Sequence, residues 1–103
     1  MTQRSGFALH VRPERVDEYL AAHRAVWPEM LAALRASGLR NYTIFRSGDR
    51  VFGYFESDDL EASRRYLAAQ EVCARWQDAM AELLEERVPD GGPPALQEIF
   101  RLD

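Results

Sequence analysis

Four side chains in the first third of the sequence combine chemical capability with helical spacing. They are Tyr19, His23, Trp27 and Met30. Because they lie three and four residues apart, they share one face of a helix. Imidazole gains and loses a proton near neutral pH, so His23 is a candidate general acid or base. Two interpretations of His23 stay open. It is either a buried histidine satisfied by a backbone carbonyl or a tyrosine hydroxyl, or an acid–base group in a cavity between helix and sheet.

A second stripe could form another wall of such a cavity. It consists of Val72, Trp76, Met80 and Leu84, which recur every four residues. Alone, this pattern indicates core packing. We expect this stripe to lie opposite His23, with Tyr42 and Tyr54 on the same face of the sheet. Together these side chains predict a cavity with aromatic walls, which we call the aromatic box. Aromatic walls with a few polar groups suit a sugar, which has an apolar C–H face and polar edges.

Other reactive groups carry weaker signals. The sequence has no glycine-rich phosphate loop, no H-E-x-x-H metal motif and no G-x-S-x-G nucleophile motif. His10 and His23 are thirteen residues apart without clustered carboxylates, so we expect no metal site. Cys73 lies beside the second stripe, and we expect a small buried packing residue rather than a nucleophile. We expect His10 to be structural or to lie at a dimer interface.

Hydrophobic periodicity and turn residues define the elements that must position these side chains. They predict a strand over 7–11, a helix over 14–36 kinked or interrupted at Pro28, strands over 39–46 and 51–56, a helical region over 60–84 broken near 69–70, and a last strand over 96–102. This order is typical of a ferredoxin-like α+β fold, with an antiparallel sheet and the helices on one face. On one helical wheel, the core stripe of the first helix comprises Val16, Leu20, Trp27, Leu31 and Leu34.

The predicted sheet carries large apolar side chains on both faces. In the second strand, Ile44 points one way and Phe45 the other; in the third strand, Phe55 and Phe52 do the same. Helices cover one face, so the other face needs a cover as well. The same face of a second copy is the simplest cover, and we therefore expect a homodimer.

Length and composition limit the remaining possibilities. The 103 residues are expected to form a single domain over 1–103. The net charge of −4 argues against a nucleic-acid partner, because phosphate binding needs concentrated positive charge. One cysteine fits a reducing, cytoplasmic setting. No stretch approaches the length of a membrane span, so we expect no membrane partner.

Four sequence blocks carry a resemblance to a known family. They are HRAVWPEM at 23–30, preceded by Tyr19, NYTIF at 41–45, VCARW at 72–76 and LQEIF at 96–100. Together they resemble the signature of the L-rhamnose mutarotase family, over essentially the whole chain. The resemblance implies a dimeric ferredoxin-like α/β barrel with no cofactor. It also implies a monosaccharide substrate, with interconversion of the α and β anomers of L-rhamnose or a related 6-deoxy sugar.

The resemblance also implies roles for particular residues. His23 takes the place of the catalytic proton donor, and Tyr19 and Tyr42 take the places of sugar-binding tyrosines. A tryptophan pair closes the pocket in some members. Trp76 fills the first of those places, and Gln77 fills the second with an amide. That departure leaves the identity of the sugar open.

Two alternatives share the same architecture. One is a cofactor-independent monooxygenase that oxidises aromatic substrates, and the other is a non-catalytic dimer that binds a small ligand. Fold alone cannot separate them, because function belongs to the site.

Overall fold

The computed structural model describes residues 1–89 and 92–103. These residues form strands β1 (Gln3–His10), β2 (Arg40–Ser47) and β3 (Arg50–Ser57) and helices α1 (Val16–Arg24), α2 (Pro28–Ala36), α3 (Leu60–Ala68) and α4 (Glu71–Ala81). A 3₁₀ turn (Pro13–Arg15) precedes α1. The α+β class expected from the sequence is confirmed.

β3 lies at the centre of the sheet, in the order β1-β3-β2, and both pairings are antiparallel. A tight turn through Gly48, which has a φ of 62°, joins β2 to β3. The β2 pairing is irregular between Arg40 and Thr43, where Asn41 has a φ of 53°. Asparagine tolerates this left-handed conformation better than most residues. The irregular stretch contains Tyr42, which lies on the helix-covered face.

The predicted 14–36 helix is two helices. α1 ends at Arg24, and α2 begins with Pro28 at its first position, where the missing N–H costs nothing. Because the chain is not helical between Arg24 and Pro28, the side-chain directions in α2 do not continue the 100° steps of α1. One helical wheel therefore cannot describe both helices. The expected core stripe is therefore wrong in part: Leu31 is exposed, whereas Tyr19 and Met30 are buried.

The second predicted break is confirmed. α3 ends at Ala68, Gln70 is extended, and α4 follows from Glu71. Asp59 caps α3 because its carboxylate accepts a hydrogen bond from the Ala62 backbone N–H at 3.1 Å. Because of the two breaks, each of the four short helices can orient its own apolar face toward the sheet.

The predicted strand over 96–102 is wrong for the described structure. One backbone hydrogen bond joins the tail to β1, from Leu96 N–H to Gly6 O at 2.9 Å. Beyond that point no strand forms in the part of the chain that is described, and Ile99, Phe100 and Leu102 are exposed. A ladder needs successive bonds along both strands, and this contact supplies the first only.

Gly53 allows the ring of Phe7 to lie flat across β3. A Cβ at position 53 would overlap that ring, which is 3% exposed and has little room to move. We expect Gly53→Ala to lower the free energy of unfolding by about 1–3 kcal/mol through overpacking. Urea unfolding measures this value. In a Phe7→Leu background the cost should shrink, and an equal cost in both backgrounds would show that Phe7 is not the obstacle.

Candidate active site

A cavity of about 560 Å³ lies between the helices and one face of the sheet. His23, Tyr42, Trp76 and Gln77 all line it. These are four of the five site residues expected from the sequence, and they come from α1, β2 and α4. The fifth, Tyr19, is buried behind His23 and is not part of the lining.

His23 occupies the last turn of α1 and is held by its own helix. Its Nδ1 lies 2.9 Å from the carbonyl oxygen of Tyr19. Because a carbonyl oxygen can only accept a hydrogen bond, Nδ1 carries the proton and donates it. Nε2 is then the nitrogen that can exchange a proton with a ligand. The structure thus combines the positions expected by both interpretations of His23: a backbone carbonyl satisfies one nitrogen, and the side chain lines a cavity. Its acid–base role stays a prediction.

Two aromatic rings fix the plane of the His23 imidazole. The ring of Tyr19 lies on one side with a centroid distance of 4.3 Å, and Trp76 presents an edge contact at 5.5 Å. Trp27 in turn packs edge to face against Trp76 at 5.1 Å. Trp76 thus forms the wall beside His23, and Trp27 supports that wall from behind.

Tyr42 brings a hydroxyl to the sheet side of the cavity. Its ring packs against Phe7 and Phe55, with centroid distances of 6.3 and 5.4 Å. Loss of water around the hydroxyl, with a smaller contribution from Tyr19, raises the pKa of Tyr42 above its usual value. The hydroxyl therefore stays neutral and acts as a hydrogen-bonding group.

Tyr54 does not belong to this aromatic box, contrary to the expectation from the sequence. Its hydroxyl donates to Glu56 Oε2 at 2.7 Å on the opposite face of the sheet. Neighbouring side chains of a strand point to opposite faces, so Phe55 lines the cavity and Tyr54 cannot. The box therefore has one tyrosine hydroxyl from the sheet and an apolar ring beside it.

Several lining residues were missed by the sequence reasoning. They are Ser5 on β1, Glu61, Ser63 and Arg64 on α3, and the segment that contains Gly92, Pro93 and Ala95. The three α3 residues do not share one helical face, so no stripe on the helical wheel groups them. No motif marked them, because their role depends on where the chain after α4 returns to the sheet.

Two further candidate groups are His10 and Cys73. Nδ1 of His10 lies 2.6 Å from Glu86 Oε1, and this contact ties β1 to the segment after α4. Cys73 is buried, as expected, and burial raises the pKa of its thiol. It is also one of the residues that line the cavity. Within residues 1–89 and 92–103, no three metal-ligating side chains cluster. None of the described helices has both the length and the apolar character needed to cross a membrane.

Burial of Tyr19 has a consequence for stability at alkaline pH. Desolvation raises the pKa of its hydroxyl from 10.0 to about 12. Below pH 10 both states are protonated and the full stability is present. Above it, the unfolded chain loses the proton first, so we expect stability to fall as the pH rises from 10 to about 12. Urea unfolding on either side of pH 10 measures the slope. Tyr19→Phe should make it shallower, and an unchanged slope would contradict this assignment.

A sequence profile describing the L-rhamnose mutarotase family matches residues 4–102. The chain belongs to the L-rhamnose mutarotase family. This is a family of isomerases, and the resemblance of the four sequence blocks is confirmed. The cavity that holds His23, Tyr42, Trp76 and Gln77 is accordingly the candidate active site of a member of this family.

Relatives of full length support the assignment. An L-rhamnose mutarotase from Bacillus subtilis (strain 168) is 38% identical, over 98% of this chain and 99% of the relative. One from Escherichia coli O8 (strain IAI1) is 33% identical, over 96% and 97%. The crystal structure of an L-rhamnose mutarotase from Formosa agariphila superposes with a TM-score of 0.76 at 26% identity, and covers 98% of this chain and 99% of that chain.

Proposed function

We propose that this chain interconverts the α and β anomers of L-rhamnose, with His23 as the proton donor. The observation that carries the proposal is the state of His23. One ring nitrogen is committed to a carbonyl, while the side chain lines a cavity with aromatic and hydrogen-bonding walls. That arrangement leaves a single, oriented nitrogen to exchange a proton with a bound sugar.

The reaction requires two proton movements. Opening the cyclic hemiacetal needs a proton delivered to the ring oxygen and a proton removed from the anomeric hydroxyl. The free aldehyde then rotates about the C1–C2 bond, and the ring closes on the other face. As proton donor His23 acts in the imidazolium form, with a proton on each ring nitrogen. Nδ1–H stays on the Tyr19 carbonyl, and Nε2 gives its proton to the ring oxygen and recovers it when the ring closes. Acid–base help of this kind accelerates a reaction by about 10²–10⁴-fold.

Neither Tyr19 nor Tyr42 takes the second proton. Burial raises the pKa of both Tyr19 and Tyr42, so the phenolate form of either is costly near neutral pH. Tyr42 lines the cavity, and we assign it a hydrogen bond to a sugar hydroxyl. Tyr19 holds the imidazole from behind. A water that bridges to the sugar is then the acceptor of the second proton.

The other walls suit a 6-deoxy sugar. Trp76 and Phe55 present apolar surface that fits a C–H face and a methyl group, and Gln77 offers an amide to a hydroxyl. No charged partner is needed for this recognition. The amide at Gln77 is the position from which we expect discrimination between related sugars.

Three sugars test the proposal. L-Rhamnose should show accelerated exchange between anomeric proton signals in NMR. Methyl α-L-rhamnoside cannot open its ring, so it should bind and compete without exchanging. L-Mannose adds a hydroxyl at C6 and should be exchanged more slowly. Binding of L-rhamnose without acceleration would contradict the catalytic proposal and support a non-catalytic binding protein.

We also infer a cytoplasmic homodimer of the barrel type. The support lies on the sheet face away from the helices, where Phe45 is 64% exposed, and in the tail, where Ile99 and Phe100 are 89% and 80% exposed. Apolar surface of this kind is costly unless a partner covers it. The cytoplasmic setting is supported by the free thiol of Cys73.

Phe45→Lys should shift this chain from dimer to monomer. Two copies facing each other across a two-fold axis would each bring a lysine to the interface, so we expect the dimer Kd to rise at least about tenfold. Sedimentation velocity measures the shift. Tyr66→Lys, at a half-exposed aromatic residue of α3, is the matched control and should leave assembly unchanged. A wild-type chain that sediments as a monomer would contradict the inference.

A further inference from the structure

One wall of the cavity is neither helix nor strand. Gly92, Pro93 and Ala95 line the cavity, and together with Pro94 they form what we call the wall segment, residues 92–95. Two of its four residues are prolines, which have no N–H group. Such a segment has few donors with which to join a sheet, so it must be held mainly through its carbonyl oxygens.

Arg64 on α3 supplies that hold. Its Nη1 donates to the carbonyl oxygen of Gly92 at 3.3 Å, and its Nη2 donates to that of Pro93 at 2.9 Å. A guanidinium presents its N–H groups in a fixed fork, so one side chain fixes two successive carbonyl groups. Arg64 is itself partly buried and lines the same cavity.

The far end of the wall segment is attached to β1. The N–H of Leu96 donates to Gly6 O at 2.9 Å, and the Ser5 hydroxyl donates to Leu96 O at 3.2 Å. Only Pro94 and Ala95 lie between these bonds and those of Arg64. A connection this short cannot move away from the cavity while both ends hold. Release of the Arg64 end would free it.

We propose that Arg64 is a positioning residue for the sugar site. It holds the wall segment against α3, so that the sugar binds in an enclosed cavity. The inference rests on the proposed function, because it assigns a wall to the same sugar site. An enclosed cavity excludes water and keeps more contacts on a bound sugar, so loss of the hold weakens binding more than it slows the proton transfer at His23.

Substitutions at two neighbouring arginines test the proposal. Arg64→Met removes the donors but keeps the aliphatic stem, and Arg64→Lys keeps the charge but loses the fork. Arg65→Met is the control, because Arg65 is mostly exposed and pairs with Glu61 at 3.6 Å. The measurements are the Kd for methyl α-L-rhamnoside, the kcat and KM for L-rhamnose exchange, and hydrogen exchange at the Leu96 amide.

We expect Arg64→Met to raise the Kd about tenfold, to raise KM with little change in kcat, and to accelerate exchange of the Leu96 amide. Arg64→Lys should be intermediate, and Arg65→Met should match the wild type. A weakened Kd with a protected Leu96 amide, or a loosened amide with an unchanged Kd, would overturn the proposal. If wild-type protein binds no rhamnoside, the proposed function itself fails. That outcome is distinct, because it does not depend on Arg64.

Discussion

Replacement of His23 by alanine should slow the protein-catalysed exchange of L-rhamnose anomers by about 10²–10⁴-fold, to near the rate in buffer. The reason is that we propose Nε2 of His23 as the proton donor, since Nδ1 is committed to the Tyr19 carbonyl. The side chain is half-buried at the end of α1, so the fold should survive its truncation. Exchange NMR on the anomeric protons measures the rate, and circular dichroism checks the fold.

Two further variants separate chemistry from structure. His23→Asn can still donate to the Tyr19 carbonyl but has nothing in place of Nε2, so it should be as slow as the alanine variant. His10→Asn removes a histidine outside the cavity and keeps an amide near Glu86, so it should retain the parental rate. Full activity of the His23→Asn variant would show that Nε2 does not carry the proton.

Trp76→Ala should have the largest effect on stability. Trp76 is 8% exposed and packs against both His23 and Trp27. Removal of a buried tryptophan typically costs about 3–5 kcal/mol, a large share of the stability of a domain of this size. The same change removes the cavity wall beside the imidazole. We therefore expect a lower midpoint in urea and, where the chain still folds, weaker sugar binding.

Milder variants keep this prediction testable if the alanine variant does not fold. Trp76→Phe retains an aromatic wall, so it should keep most of the stability and lose sugar affinity. Trp27→Ala removes the supporting ring but leaves the wall in place, and it should cost less than Trp76→Ala because Trp27 is only partly buried. Equal losses of stability at both tryptophans would contradict the roles assigned to them.

The fold could be predicted where local chemistry decides it. Pro28 predicted a break because a proline interrupts a helix, and the chain divides there. The division at Gln70 was also visible in the pattern. The sequence did not show how the side-chain directions of α2 relate to those of α1, since a single helical wheel assumes one continuous helix. Leu31, which was expected in the core stripe, is consequently exposed, and the neighbouring Met30 is buried instead. The alternating pattern of residues 96–102 predicts a strand, but a strand also needs a partner to pair with. In this structure one backbone hydrogen bond, from Leu96 N–H to Gly6 O, joins the tail to β1.

The site was predictable to a similar degree. Spacing on α1 and α4 and the resemblance of the motifs led to His23, Trp76 and Gln77, which line one cavity. Tyr54 was misplaced because alternation along β3 does not tell which of its faces matches that of Tyr42. The pairing register decides this, and it sets Tyr54 opposite Thr43. Arg64 could not be found, since its contacts with Gly92 and Pro93 depend on the path of an irregular segment. Contacts between residues about thirty positions apart leave no motif or periodicity in the sequence.

The most direct test is two-dimensional exchange NMR on the anomeric protons of L-rhamnose, with increasing amounts of the wild-type protein. Ring opening in the cavity predicts cross-peaks between the α and β signals that grow in proportion to protein concentration. Addition of excess methyl α-L-rhamnoside should suppress them, because it occupies the same cavity without reacting. An exchange rate equal to that in buffer at every protein concentration would contradict the assignment of mutarotase activity to this chain.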